Sequence, residues 1–343
     1  MPGPSGWAPS PNHPKDLIYS APSGLQIKER VDLRETHRMF HQAYDQFGGT
    51  NSCTANAIAA ALKYGENAEA CCEKGMQDYN PSRNFIWYHE RIMNVTEYPV
   101  LPKDEISKIF NQTIPELLAE DGITKFKRQD VEDEVKKDGT TWARYGFRAL
   151  KKFGVCSEDT WKYEDPNTNP AFWNMPSTAM DEALKYIDPF FSYHRINDLY
   201  DYAIGQGGTK VINDIEAALC EGFSVVFGCW FPYNHDSIEY QGTTTKEWGL
   251  SQDYVYEGWL RDNGERKWGH QMLITGYDRT KQLFLVLNSY GTRWGKDGYF
   301  YMPYKWFVEG NGRFVEDPAQ STVPEKPRVD DIWVIKSPRA SKC

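Results

Sequence analysis

The first half of the chain has the apolar spacing of packed helices. An Ala-rich run begins at Cys53, and its small side chains predict a closely packed helix that starts near this residue. Further helices are predicted at 83–93 and at 141–153, and Gly154 ends the second of them. Residues 95–138 form a charge-rich insertion, in which IPELLAE and VEDEVKK predict one or two amphipathic helices.

The second half has the pattern of β-strands. MLITGYD, QLFLVLNSY and GYFYMPY are rich in β-branched and aromatic residues with glycines among them. The run IEAALCEGFSVVFGCW predicts a short helix, a turn at Gly222 and a buried strand. DIWVIK predicts a last strand after a Pro-rich linker at 318–327, and a short strand is predicted near 27–33.

The change from a helical pattern to a strand pattern near residue 186 predicts an α+β protein of three parts. Residues 1–24 are rich in Pro, Ser and Gly and are expected to form a flexible N-terminal arm. Residues 25–186 form a helical lobe that carries the insertion at about 95–138. Residues 187–343 form a β lobe that includes the linker and the last strand.

Composition and charge narrow the class of protein. Lys and Arg number 39 against 48 Asp and Glu, a net charge of −9, and this acidic balance argues against nucleic-acid binding. No apolar run approaches the roughly 20 residues that span a bilayer, so no membrane association is expected. Seven cysteines are too few for a disulfide scaffold, and the N-terminal segment does not resemble a secretory signal. We therefore expect a cytoplasmic protein with reduced thiols.

Three residues in separate segments have the chemistry of nucleophilic acyl transfer. A helix N-terminus stabilises a thiolate at Cys53, although a small core cysteine among alanines would give the same pattern. His270 stands at the entry to an apolar strand, where a lone histidine is more often structural. Asn288 ends the next strand, and its amide needs a hydrogen-bond partner such as a histidine ring. The order Cys, His, Asn predicts a nucleophile, a base and an orienting amide.

These segments resemble the papain family of cysteine peptidases. Cys53 follows Ser52 as in the family's Gly-Ser-Cys segment. His270 lies in Gly-His-Gln-Met where the family has Gly-His-Ala-Val, and Asn288 lies in Asn-Ser-Tyr-Gly where the family has Asn-Ser-Trp-Gly. SCTANAIAAAL, PSRNFIWYHER, FGVCSEDTWKY and DIWVIK resemble the free-standing branch, which lacks a secretory signal and an inhibitory prosegment. The resemblance spans about residues 25–336, apart from insertions.

The resemblance implies a papain-like two-lobed fold, with a helical lobe, an antiparallel β-barrel lobe and an active-site cleft between them. It implies that Cys53 and His270 form a thiolate–imidazolium pair and that Asn288 holds the imidazole ring. The thiolate attacks a carbonyl, His270 protonates the leaving amine, and water releases the acyl-enzyme. The expected substrate is a peptide or a small amide or acyl compound in the cleft, and no cofactor is implied.

The resemblance also assigns supporting residues. It implies that Gln46 shares the oxyanion hole with the Cys53 backbone N–H. Gln46 lies seven residues before Cys53 where the family spacing is six, so either the Gly-Gly pair between them bulges or Gln46 points elsewhere. Tyr290 stands where the family has a tryptophan that shields the His–Asn bond, and Trp294 matches a second tryptophan that packs on the site.

Several alternatives remain open at this stage. Cys71 and Cys72 lack the spacing of a metal chelate, so no metal site is expected. The insertion either caps the helical lobe or narrows the cleft. The leading function is a cysteine-dependent hydrolase of peptide or amide bonds. The same site with an amine acceptor would make an amide-forming acyltransferase, and a less favoured alternative is an inactive papain-like binding protein. Four tryptophans upstream of His270 are candidates for setting the substrate preference: Trp230, Trp248, Trp259 and Trp268.

Overall fold

The structure is a computed structural model of the chain. It describes residues 6–10, 13–36, 43–46, 50–72, 79–96, 116–118, 125–127, 138–164, 174–188, 191–196, 207–232, 253–255, 267–308 and 329–336. In these residues the helices are α1 (Leu33–Thr36), α2 (Cys53–Cys72), α3 (Arg83–Thr96), α4 (Ala143–Phe153), α5 (Ser177–Lys185), α6 (Gly207–Cys220) and α7 (Lys305–Val308). The strands are β1 (Leu17–Ile18), β2 (Arg30–Asp32), β3 (Glu116–Leu118), β4 (Lys125–Lys127), β5 (Ser192–Arg195), β6 (Val225–Pro232), β7 (Lys267–Asp278), β8 (Leu283–Leu287), β9 (Tyr299–Pro303) and β10 (Val329–Lys336).

Three of the helices predicted in the first half are confirmed. Helix α2 begins at Cys53, and α3 and α4 cover the two further predicted segments. Gly154 ends α4 with a φ of 71°, and its backbone N–H donates to the carbonyl of Leu150. Glycine adopts this left-handed conformation without the cost that a Cβ would add. Helices α2, α3 and α4 pack on one another, and α2 also packs on β7.

The predicted strands of the second half join one large sheet. Its order is β1-β5-β10-β6-β7-β8-β9, and β2 pairs with β7 off this path. The pairs along β10, β6, β7, β8 and β9 are antiparallel, whereas β1 pairs with β5 in parallel. Strand β6 runs beside β7 for its whole length, so that Cys229 faces His270 across the ladder. This pairing places the predicted base at the centre of a buried sheet.

The predicted β-barrel is corrected to an open sheet. In the residues that the structure describes, the sheet begins at β1 and ends at β9 without closing. A closed barrel has no sheet edge. Strand β1 has two residues, and Leu17 and Ile18 are about half exposed. At the outer edge of β9, Tyr301 forms an isolated β-bridge with Val255.

The helix predicted for IPELLAE is wrong at its centre. Residues 116–118 form strand β3, which pairs with β4 in antiparallel register, Leu117 opposite Phe126. Glu and Leu are good helix formers, and here cross-strand pairing overrides that propensity. The VEDEVKK segment and the linker at 318–327 lie outside the described residues. Within the described helices, none is long and apolar enough to cross a membrane.

The N-terminal arm packs on the folded body. Trp7 is fully buried, and strand β1 extends the sheet through its pairing with β5. Trp7 also forms an isolated bridge with Thr141 just before α4. Part of the segment expected to be flexible is therefore integrated into both the helical and the sheet regions.

Candidate active site

Cys53 is the first residue of α2 and is 2% exposed. The helix starts here because the Ser52 carbonyl accepts a hydrogen bond from the backbone N–H of Asn56 at 3.0 Å. The Asn56 side chain donates to the same carbonyl at 2.9 Å. Cys53 is therefore held at the positive end of a helix, where backbone N–H groups stabilise negative charge.

Two distant residues fix the loop before Cys53. The backbone N–H of Asn51 donates to the carboxylate of Asp138 at 2.8 Å, and the Asn51 side chain donates to the Asp138 carbonyl at 2.9 Å. The hydroxyls of Ser52 and Tyr163 hydrogen bond at 2.6 Å. Asp138 belongs to no sequence motif, and the segment FGVCSEDTWKY, which ends at Tyr163, does not indicate this contact. The loop geometry thus depends on contacts that the sequence analysis missed.

His270 and Asn288 are brought together as the resemblance implies. Nε2 of His270 donates to Oδ1 of Asn288 at 2.8 Å. The backbone N–H of Ser289 donates to the same Oδ1 at 2.8 Å, which identifies this atom as the amide oxygen. Nε2 therefore carries the proton, and Nδ1 of the neutral ring is the basic nitrogen. This tautomer leaves Nδ1 able to accept a proton.

The thiol and the imidazole are both in low-dielectric surroundings. Burial raises the pKa of Cys53 to about 12, against hydrogen bonds from the backbone of Gln271 and Thr54. Burial lowers the pKa of His270 to about 4, partly opposed by its bond to Asn288. Since Gln271 follows His270 on β7, the thiol contacts the strand that carries the base. Both groups are neutral at pH 7 in this arrangement.

Aromatic rings cover the histidine. Tyr290 stacks on His270 with ring centroids 5.1 Å apart and an interplanar angle of 17°. Trp294 meets Tyr290 edge-on at 5.8 Å and Phe300 edge-on at 5.3 Å. Tyr290 therefore contacts the ring from the position that the resemblance gives to a shielding tryptophan. Trp294 in turn packs against the ring of Tyr290.

Gln46 lies against the segment that carries Asn288. Its backbone N–H donates to the carbonyl of Ser289 at 2.9 Å, and its Oε1 accepts from the Ser289 hydroxyl at 2.5 Å. Its Nε2 donates to the carbonyl of Thr50 at 3.3 Å, and the Thr50 hydroxyl donates to the Gln46 carbonyl. Gln46 and Thr50 are therefore held together, and the segment between Gln46 and Cys53 that contains the extra residue is fixed at this point. An amide nitrogen has a second N–H, which Gln46 can offer to a substrate.

The N-terminal arm reaches the thiol. A Cβ added to Gly6 would lie 2.9 Å from Sγ of Cys53 and 2.8 Å from the carbonyl oxygen of Asn51. The sequence alone leaves open whether the arm folds over the cleft. One signal was present, because Trp7 is a large apolar residue in an otherwise Pro-, Ser- and Gly-rich segment.

The other sequence candidates contribute little to the described site. Trp248 and Trp259 lie outside the described residues, and Trp230 and Trp268 are described only by backbone pairing in β6 and β7. Cys71 and Cys72 end α2. In the part of the chain that the structure describes, no group of three or more His, Cys, Asp or Glu side chains is placed to hold a metal ion.

Part of the second half of the chain matches a known protein family. Residues 233–309 match the family described as papain family cysteine protease. That range contains His270 and Asn288, and Cys53 lies outside it. An uncharacterised peptidase C1-like protein of Acanthamoeba polyphaga mimivirus is 28% identical over 267 residues, 77% of this chain. The match spans 65% of the length of that relative.

Solved structures extend the likeness over nearly the whole chain. Xylellain, a cysteine protease from Xylella fastidiosa, is 25% identical with a TM-score of 0.62, and the match covers 98% of each chain. The cysteine protease and lectin-like domains of a surface-layer-associated protein of Clostridium difficile are 13% identical with a TM-score of 0.52. That match covers 98% of this chain and 56% of the other, and it shows the fold alone. The chain is thus similar in sequence and in fold to papain-like cysteine peptidases.

Proposed function

We propose that the protein is a cysteine-dependent hydrolase that cleaves peptide or other amide bonds through a thioester acyl-enzyme. The observation that carries the proposal is the hydrogen bond from His270 Nε2 to Asn288 Oδ1, next to a thiol that contacts the same strand at Gln271. This bond fixes the tautomer in which Nδ1 is the base. A histidine in a merely structural role has no need of a neighbouring thiol at a helix start.

The reaction follows from the proton positions. Nδ1 of His270 takes the proton of the Cys53 thiol, and the thiolate attacks the substrate carbonyl carbon. The oxyanion accepts hydrogen bonds from the Cys53 backbone N–H and from Nε2 of Gln46. His270 then donates its proton to the leaving amine, and the C–N bond breaks. Water, deprotonated by His270, attacks the thioester, and release of the acid restores the protonated thiol.

A labelling experiment tests the nucleophile. Iodoacetamide alkylation followed by peptide mass spectrometry reports each cysteine separately, and we expect alkylation at Cys53 to be lost in Cys53→Ala. Cys229→Ala is the matched control, because Cys229 is a buried, reduced cysteine that faces His270 across the sheet from β6. If iodoacetamide still fails to alkylate Cys53 when the reagent can reach the thiol, the result would support an inactive papain-like binding protein instead.

A peptide library tests the reaction. We expect the wild-type protein to release fragments with new carboxyl ends, and Cys53→Ala to release none. Products formed with an added amine identify the acceptor, since capture by water gives an acid and capture by the amine gives a new amide. An amide as the main product would replace hydrolysis by acyl transfer.

A further inference from the structure

The hydroxyl of Tyr163 contacts both ends of the segment between Gln46 and Cys53. It donates to the Gln46 carbonyl at 2.8 Å and lies 2.6 Å from the hydroxyl of Ser52, the residue before Cys53. It also lies 3.0 Å from the Thr50 hydroxyl. One hydroxyl therefore holds the residue that carries the side-chain donor of the proposed oxyanion hole and the residue next to the backbone donor.

The protons of these hydroxyls have a defined order. A tyrosine hydroxyl has one proton, and that of Tyr163 is donated to the Gln46 carbonyl. The Thr50 hydroxyl donates to the same carbonyl, whose two lone pairs accept both bonds. In its contact with Tyr163, the Ser52 hydroxyl is therefore the donor. Burial raises the pKa of Tyr163 to about 12, so its hydroxyl keeps its proton at neutral pH.

All the groups in this cluster are shielded from water. Gln46, Thr50, Ser52 and Tyr163 are each buried. A buried hydroxyl or carbonyl that loses its partner gains no bond to water in exchange, so the loss is unfavourable. The bonds to the Tyr163 hydroxyl therefore restrain the segment more strongly than the same bonds at the surface would.

Tyr163 is in turn held by the first residue of α3, Arg83. The Tyr163 backbone N–H donates to Oε2 of Glu158 at 2.9 Å, and Nε of Arg83 pairs with Oε1 of Glu158 at 2.8 Å. The Arg83 guanidinium also lies 4.3 Å from the centroid of the Tyr163 ring. The backbone and the ring of Tyr163 are thus both fixed to α3, and the hydroxyl is a rigid point of attachment for the segment.

The length of the segment gives this attachment its importance. Gln46 lies seven residues before Cys53, one more than the family spacing, and an added residue gives the two ends more relative positions to sample. A displacement of about 1 Å in a reacting geometry can lower a rate by about a hundredfold. A restraint that joins both ends of the segment therefore affects how well the two donors converge on one oxygen.

We propose that Tyr163 is a positioning residue of the oxyanion hole, and that its hydroxyl sets the distance between the Gln46 amide and the Cys53 backbone N–H. The proposal rests on the proposed function, because it requires these two groups to stabilise an oxyanion. The hydroxyl acts through Gln46 and Ser52, and it neither gains nor loses a proton during the reaction. Its removal should therefore slow the reactions of Cys53 that form an oxyanion and leave its other reactions unchanged.

Two reactions of Cys53 test the proposal without requiring peptide cleavage. In acylation by p-nitrophenyl acetate, the thiolate attacks the ester carbonyl, an oxyanion forms, and p-nitrophenolate leaves as the thioester is made. Alkylation by iodoacetamide forms no oxyanion. Tyr163→Phe keeps the ring and loses two neutral hydrogen bonds, so acylation should be about 10- to 30-fold slower. Alkylation should stay within about twofold of wild type, and Cys53→Ala supplies the background for both rates.

Tyr44→Phe is the matched control for the loss of a tyrosine hydroxyl. The Tyr44 ring also lies 4.3 Å from the Arg83 guanidinium, and its hydroxyl donates to Oδ1 of Asn80 at 2.7 Å, outside the segment. Both rates should stay within about twofold of wild type in this variant. An equal loss of acylation in Tyr44→Phe and Tyr163→Phe, or no selective loss in a folded Tyr163→Phe, would overturn the proposal.

Ser52→Ala tests whether the hydroxyl acts through the segment. This variant removes the donor to Tyr163 and should slow acylation about fivefold, again without a change in alkylation. In the double variant Ser52→Ala/Tyr163→Phe, the loss should be smaller than the product of the two single losses, because both changes remove the same bond. A fully multiplicative loss would overturn this route. If Tyr163→Phe does not unfold cooperatively, Ser52→Ala alone gives the comparison, and an unchanged ratio of acylation to alkylation rejects the proposal.

Peptide cleavage separates this proposal from the proposed function. A selective loss of acylation in Tyr163→Phe, in a protein that cleaves no peptide, would support the positioning role and reject the hydrolase. Peptide cleavage that is the same in wild type and in Tyr163→Phe would support the hydrolase and reject the positioning role. Acylation and cleavage that fall together while alkylation is unchanged would support both, and a wild-type Cys53 that is not acylated would reject both.

Discussion

Gln46 offers a sharp test of how the site stabilises negative charge. Gln46→Ala removes the proposed amide donor, and Gln46→Glu keeps an oxygen to accept from Ser289 while it loses the N–H. Removal of one oxyanion donor typically lowers kcat by about 100- to 1,000-fold, equivalent to about 2.7 to 4 kcal/mol. Both variants should show this loss. Gln46→Glu should retain the thermal stability of the wild type more closely.

Ser289 is expected to act through Gln46. Its hydroxyl donates to Oε1 at 2.5 Å, whereas the Gln46 backbone N–H remains held by the Ser289 carbonyl at 2.9 Å. Ser289→Ala therefore loses one neutral hydrogen bond, worth about 1 kcal/mol, and a loss of about fivefold in kcat/KM is expected. In the double variant Gln46→Ala/Ser289→Ala, the Ser289 substitution should cause no further loss of kcat/KM, since no side-chain amide remains to be oriented.

The assay compares two reactions of the same thiol. Hydrolysis of a fluorogenic peptide amide passes through an oxyanion, and alkylation by iodoacetamide does not. Gln46→Ala should therefore lower kcat/KM for the peptide and leave Cys53 alkylation within about twofold of wild type. Gln26→Ala, a change at an exposed glutamine, is the control. A kcat/KM within about threefold of wild type, or an equal fall in both reactions, would refute the assignment.

Three further predictions concern residues around Cys53 and His270. Asn288→Ala should lower peptide cleavage and Cys53 alkylation together, because the ring of His270 loses the acceptor that fixes its tautomer; comparison of the two rates checks this. Tyr290→Ala should cost more activity than Tyr290→Phe, since the ring stacked on the histidine is what shields the bond, and kcat/KM of the two variants decides it. Burial raises the pKa of Glu90 to about 8, so the folded state keeps a proton that the unfolded state releases above its ordinary pKa of 4.5. The contribution of Glu90 to stability should therefore fall between about pH 4.5 and pH 8, so the free energy of unfolding in urea of the wild type should decrease relative to that of Glu90→Gln across this range.

The elements nearest the site could be predicted because local pattern determines them. The Ala-rich run fixes α2, and its first residue follows from the polar segment that ends at Ser52. The β-branched runs fix β7 and β8, and the ends of these strands place His270 and Asn288 on neighbours. The chain order Cys, His, Asn then identifies the candidate chemistry. These features depend on residues close together in sequence.

The features that could not be predicted depend on residues far apart in sequence. Asp138 fixes the backbone of Asn51 across 87 positions, and Tyr163 reaches Ser52 across 111. An isolated aspartate has no pattern that indicates such a contact, and the segment FGVCSEDTWKY does not indicate which residue the Tyr163 hydroxyl reaches. The helix predicted for IPELLAE fails for a different reason, because the cross-strand pairing of Leu117 with Phe126 overrides the helix propensity of this segment.

The arm connects the architecture of the cleft with its acid–base chemistry. Proton transfer from the thiol to the imidazole requires that the pKa of Cys53 fall and that of His270 rise, and burial shifts each in the opposite direction. Gly6 lies close to Sγ, and Trp7 is buried against Gly228 of β6, so the arm contributes to the burial that shifts both pKa values.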